Sequence, residues 1–238
     1  MNLASILKPA TLLLLLVAAS HTFAQSRRWW DDTSMISNKQ TLQKDGLTLF
    51  YYDNSENFDP QVKQHLIDAF FTVYPAERKR FNMQASATVV FVIDTGYHGV
   101  AATSGHIVRF NPDWFKKHPE DIDVVTHEVM HIVQSYGDNH VPGWLTEGIA
   151  DYVRYKFGIN NDASGWKLTD FKPTQSYTNA YRITAHFLVW AEKHKNPGLV
   201  DTLDGAMRQG IYTSELWQQL TGKNVDELWA EYSANPEI

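Results

Sequence analysis

Ile122-Asp123-Val124-Val125-Thr126-His127-Glu128-Val129-Met130-His131-Ile132-Val133 is the stretch on which the fold turns. Ile122, Val125, Val129, Ile132 and Val133 recur at helical spacing, which predicts a buried amphipathic helix from about Pro119-Glu120 to Tyr136. Side chains four apart lie one turn above each other on one helix face. His127 and His131 are therefore placed to hold one metal ion between them. Glu128, beside them, faces the space an attacking water would occupy. Residue frequencies give H-E-x-x-H roughly 0.02 chance occurrences in a chain of this composition. Two satisfied core histidines beside a solvated glutamate are therefore the weaker reading.

Catalytic zinc takes three protein ligands and keeps one position open, so a third ligand is needed. Downstream, Pro142 opens a second helix to about Phe157, with Glu147 and Asp151 four apart on one face. A turn at 137–141 brings Glu147 back alongside the histidines, and Asp151 can receive the free ring N–H of a ligand histidine. Glu147 lies among Trp144, Leu145, Ile149 and Ala150, where an unpartnered carboxylate is expensive. His140 is the competing ligand, but the H-E-x-x-H-x-x-G-x-x-H spacing fails: Gln134 stands at the glycine position.

Upstream, Leu47 to Tyr52 reads as a strand. Thr88 to Ile93 reads as a second, apolar on both faces and so central in a sheet. Asp59-Pro60 opens a helix expected to end before Pro75. Gly96, Gly99 and Gly105 make a bending loop, and His106 to Phe110 leaves it as a short strand. Beyond a polar loop at 158–176, helices are expected at about 179–194, 198–208, 214–220 and 225–232. Strands first and helices after predict one α+β domain over 46–238. A small mixed sheet packs on the HExxH helix, and a mainly helical C-terminal part follows.

Lys8, the apolar run Thr11 to Ala19 and a small-residue exit at Ala24 form the pattern of a cleaved signal peptide over 1–24. The run is too short to span a bilayer. A secreted or periplasmic location follows, with no stable membrane insertion after signal removal. Residues 25–45 are polar and read as a loosely held lead. The chain has no cysteine, so disulfides cannot hold an exported domain together. A net charge of −6 and the lack of a basic stripe give no reason to expect a nucleic-acid partner.

The stretch HEVMHIVQSYG, followed by VPGWLTEGIADYVRYKFG, resembles the basic secretory protein family of plant and bacterial peptidases. The likeness extends to VVFVID, GVAATSGHIVRFNP and YTNAYRITAHFLVW, and covers about residues 47–230. It implies a zincin-like metallopeptidase of the Glu-ligand, thermolysin type, with one zinc ion per chain and a protein or peptide substrate cleaved internally. Carried over residue by residue, His127, His131 and Glu147 are the ligands. Glu128 is the general base, and Asp151 supports a histidine. The hydroxyl that holds the oxyanion is matched by Tyr177, with Tyr181 as the alternative. Fold analogy makes the strand at 106–110 the edge on which an extended peptide pairs. Two rival classes keep the same metal site: a zinc amidase for a non-protein or peptidoglycan amide, and a non-catalytic zincin-like binding module of the cell envelope.

Overall fold

The computed structural model describes residues 38–238. The signal segment expected at 1–24 lies outside the described residues, as does the lead from 25 to 37. The rest of that lead is a strand: β1 (Asn38–Lys44) pairs antiparallel with β2 (Leu47–Asp53), Lys44 opposite Leu47. Asp45 and Gly46 turn the chain at φ 50° and 79°, the paired positive values that a two-residue hairpin requires. β1 escapes a hydrophobicity reading because it is a polar edge strand, exposed at nearly every position. In β2, Leu47, Leu49 and Tyr51 alternate inward.

Helix α1 (Pro60–Phe81) makes the crossover from β2 to the parallel strand β3 (Thr88–Ile93). Asp59 caps it by accepting from Gln61 N at 2.7 Å. The expected stop before Pro75 is corrected, since the helix runs through Pro75. One backbone hydrogen bond is lost there, and burial of Tyr74, Glu77 and Phe81 keeps the next turn docked. Glu77 is fully buried, and neither carboxyl oxygen has a partner among the described residues. Burial holds its pKa well above the usual carboxylate range.

Strands β4 (Ala101–Ser104) and β5 (Ile107–Phe110) form an antiparallel hairpin, turned at Gly105 where φ is 59°. The strand order is β1-β2-β3-β5-β4, so the sheet is mixed. The expectation that 106–110 is an edge is corrected: β5 is interior and β4 holds the edge. Four short residues inside a glycine-rich stretch carry too little periodicity to announce a strand.

Helix α2 (Pro112–Lys117) precedes α3 (Val124–Gln134), which carries the two histidines. α3 starts four residues later than Pro119-Glu120 predicts. The Asp123 carboxylate accepts the backbone N–H of Ile159 at 2.8 Å, so it serves a distant loop and does not extend the helix. α3 packs on α1, on β4 and on α4 (Gly143–Phe157). Burial of Val125, Val129, Ile132 and Val133 stabilises this seat by about 1.5–3 kcal/mol per side chain.

After α5 (Asn161–Ser164) and a 3-10 turn at Tyr177–Asn179 come α6 (Tyr181–His194), α7 (Leu199–Arg208), α8 (Glu215–Thr221) and α9 (Val225–Ala234). α4 lies along α6. Gly148 permits the approach: a Cβ there would come within 2.2 Å of Thr184 Cγ2. Phe187, Trp217, Trp229 and Tyr232 form an aromatic cluster around α6. No helix of the described residues is long and apolar enough to cross a membrane.

Candidate metal centre

α3 presents His127 and His131 on one face, and α4 brings Glu147 to them. The two Nε2 atoms are 3.2 Å apart, and Glu147 Oε2 lies 3.2 Å and 3.6 Å from them. His127, His131 and Glu147 each offer one ligand atom, all within 4.8 Å of one another. His140 is exposed in the connecting turn and is not part of this cluster.

The hydrogen bonds behind the rings decide which atoms face the centre. His127 Nδ1 donates to Asp151 Oδ1 at 2.7 Å. His131 Nδ1 donates to Gln134 Oε1 at 2.7 Å, and the amide orientation is set because Gln134 Nε2 donates to the Thr146 carbonyl at 2.8 Å. In the neutral tautomer that these bonds favour, both Nε2 atoms turn lone pairs toward each other and toward a carboxylate. Three acceptors with no donor between them repel unless a cation sits there. Two imidazoles and one carboxylate are also a donor set that suits catalytic zinc.

The electrostatics agree. Burial lowers the His127 pKa, but the bonds to Asp151 and Glu147 outweigh it and push it up to about 10. Burial raises that of Glu147, yet His127 and His131 hold it well below the usual range. The clustered acceptors of this centre favour positive charge, which suits a divalent cation.

Glu128, 6% exposed, points toward β4. Thr103 Oγ1 lies 2.7 Å from its Oε2 and 2.9 Å from its backbone carbonyl, which fixes the carboxylate. Thr103 and Gln134 escaped the sequence reading. Gln134 had a local signal, three residues past His131 on the same helix face. Thr103 had none, because it meets Glu128 across 25 positions of chain.

The two tyrosines part company. Tyr177 donates its hydroxyl to Asp226 at 2.8 Å and packs its ring on Trp144, 4.9 Å between centroids. Tyr181 stacks on His127, with ring centroids 6.1 Å apart and planes 16° from parallel. Its pKa is raised chiefly by the neighbouring Glu147 carboxylate, then by burial. Tyr181, and not Tyr177, lines the cavity over the centre, which has a volume of about 1170 Å³. Two successive positive φ values, 63° at Ala180 and 50° at Tyr181, put it there.

Aminopeptidase A of Legionella pneumophila, solved in complex with aspartic acid, is similar in fold, with a TM-score of 0.54 at 15% identity. The match covers 81% of this chain and 27% of that one. An M1 zinc metallopeptidase variant from Deinococcus radiodurans, bound to a Tyr-Ser-Ala substrate, has a TM-score of 0.47 at 10% identity, over 84% of this chain and 53% of its own. The chain thus spans about a quarter of the first protein and about half of the second. No curated protein sequence matches it. The mixed sheet, the HExxH helix and the helical C-terminal part make a zincin-like α+β fold. Residues 40–232 match the family described as BSP, peptidase of plants and bacteria, and the chain belongs to that family.

Proposed function

We propose that the protein is an exported zinc peptidase that cuts within extended peptide chains. The observation that carries this reading is the convergence of His127 Nε2, His131 Nε2 and Glu147 Oε2, with Glu128 anchored beside them by Thr103. His127, His131 and Glu147 would hold a zinc ion, which would supply an acidified water and polarisation of the scissile carbonyl. Glu128 takes the proton of the attacking water and passes it to the departing amine. The Tyr181 hydroxyl, on the open side of the centre, donates to the oxyanion. Tyr177 is occupied with Asp226 and leaves this role to Tyr181.

The edge strand β4 supports the choice of an extended substrate. It runs past Glu128 at Thr103, and its outer side has no partner strand among the described residues. A peptide laid along it gains backbone hydrogen bonds without regard to sequence. Internal cleavage is supported by the acids of the cavity. Glu128, Glu147, Asp151 and Asp121 each have a partner already, so among the described residues the cavity holds no carboxylate set apart for a terminal ammonium group. Export rests on the order of Lys8, the apolar run at 11–19 and Ala24.

A mixture of unrelated peptides incubated with zinc-loaded wild type and with Glu128→Gln, read by mass spectrometry, tests the proposal. Internal cuts are expected from wild type alone, with zinc retained in both proteins. Loss of single terminal residues would make it an exopeptidase, and no cuts at all would overturn the peptidase reading. N-terminal sequencing of exported protein tests the signal segment, with Gln25 expected first.

A further inference from the structure

Ala180 has φ 63° and ψ −171°, a combination that side chains other than glycine's avoid, and Tyr181 follows at φ 50°. Such strain persists only where the surrounding structure over-determines it. Here the Ser176–Asn179 capping box anchors the chain before the turn, and α6 holds it after. The same turn that sets Tyr181 over His127 also delivers the next residue, Arg182, to the cavity wall. Consecutive Cα atoms are about 3.8 Å apart, so Arg182 starts one residue from the group beside the metal ligands.

Arg182 is exposed, and among the described residues nothing pairs with it. The other arginine of the cavity, Arg154, is bound to Asp121 and lies over the Trp166 ring at 4.5 Å. The cavity acids are occupied as well, by Thr103, by the histidines and by Arg154. Among the described residues that line the cleft, Arg182 is thus the arginine without a partner, while each acid already has one. A guanidinium offers a planar fork of donors that matches a carboxylate. The turn fixes where this side chain leaves the backbone, at the cavity wall and one residue from Tyr181.

We propose that Arg182 is a specificity-determining residue that selects peptides with a carboxylate close to the scissile bond. The carboxylate comes either from an Asp or Glu side chain or from a C-terminus a few residues downstream. This inference rests on the peptidase reading above and names the substrate class of the same site.

The test uses zinc-loaded protein and synthetic peptides built on one internally cleaved sequence. One series carries Glu or Gln at each of two positions on either side of the cut; the other ends in a free acid or an amide. In wild type, kcat/KM for the preferred acid is expected to exceed that for its neutral partner by about tenfold or more. The series in which this ratio appears identifies the carboxylate. In Arg182→Gln the ratio falls to near one, through KM more than kcat. In Arg182→Glu it inverts, and Lys at the same position becomes preferred. Equal cleavage of acid and neutral peptides by wild type overturns this inference alone. So does a ratio that survives in Arg182→Gln. Failure to cleave any peptide overturns the peptidase reading and this one with it.

Discussion

Gln134 Oε1 lies 2.7 Å from His131 Nδ1 while the nitrogen of the same amide donates to the Thr146 carbonyl at 2.8 Å. One side chain thus ties a ligand on α3 to the backbone beside the ligand on α4. Asp151 does the matching work for His127 from four residues past Glu147. A bond behind each ring turns its Nε2 toward the centre.

Removing either support should weaken metal binding without removing a ligand. Gln134→Leu and Asp151→Ala are each expected to lower zinc affinity by about 10–100-fold. Chelator competition on purified protein measures it. Unchanged affinity in both variants would show that packing alone orients the rings.

The tyrosines should separate cleanly in kinetics. Tyr181→Phe is expected to lower kcat by about 10²–10³ with KM little changed, the size of effect seen when one oxyanion donor is removed. Tyr177→Phe should leave kcat near wild type. It loses only the hydroxyl bond to Asp226, worth about 0.5–1.5 kcal/mol of stability. The reverse pattern would return the role to the residue four positions earlier.

These two tyrosines mark where the sequence stopped being legible. His127, Glu128, His131, Glu147 and Asp151 could be read because helical spacing fixes which side chains share a face. Tyr177 and Tyr181 are also four apart, but a 3-10 turn and then Ala180 separate them, so they do not share one α-helix. The positive φ values at Ala180 and Tyr181 reverse the chain's direction, and nothing in an Ala-Tyr pair announces that. β1 and β4 were hidden for another reason. An edge strand is bonded on one side only, and these two have little apolar alternation to betray them. Pro75 misled in the opposite sense, because tertiary burial of Tyr74 and Phe81 outweighed one lost backbone bond.

Glu77 is a cost the fold carries. Burial pushes its pKa well above the ordinary carboxylate value, because the charged form loses its water without gaining a partner. Glu77→Met keeps the volume and removes the polar group. Denaturant unfolding is expected to show a gain of about 1–3 kcal/mol. A loss of stability would mean that the carboxyl has an internal role.

Asp204 gives a pH signature that acidic groups rarely show. It accepts from Tyr136 at 2.9 Å and sits 2.7 Å from Arg208, yet burial prevails and pushes its pKa up from 3.8 to about 6. The folded state keeps a proton that the unfolded chain releases between these values. Its contribution to stability is therefore full below pH 3.8 and is lost as pH rises through about 6. Melting temperatures of wild type and Asp204→Asn across this window should differ in slope, with wild type declining relative to the variant as pH rises. Parallel profiles would place the titration elsewhere.

Gly148 follows the ligand Glu147 directly, and Thr184, which it touches, lies three residues past Tyr181. The absence of one methyl group thus sets how closely α6, with Tyr181 at its start, lies to α4, which carries Glu147. In Gly148→Ala, α6 must back away from α4, since the new carbon would meet Thr184 Cγ2 at 2.2 Å. The three ligands ride on α3 and α4 and stay together, so zinc should be retained while turnover falls by about 10²-fold, the cost of misplacing a reacting group by about 1 Å. A fully loaded and nearly idle protein would be the outcome. Chain length between two functional groups would then matter less than the thickness of the contact that spaces them.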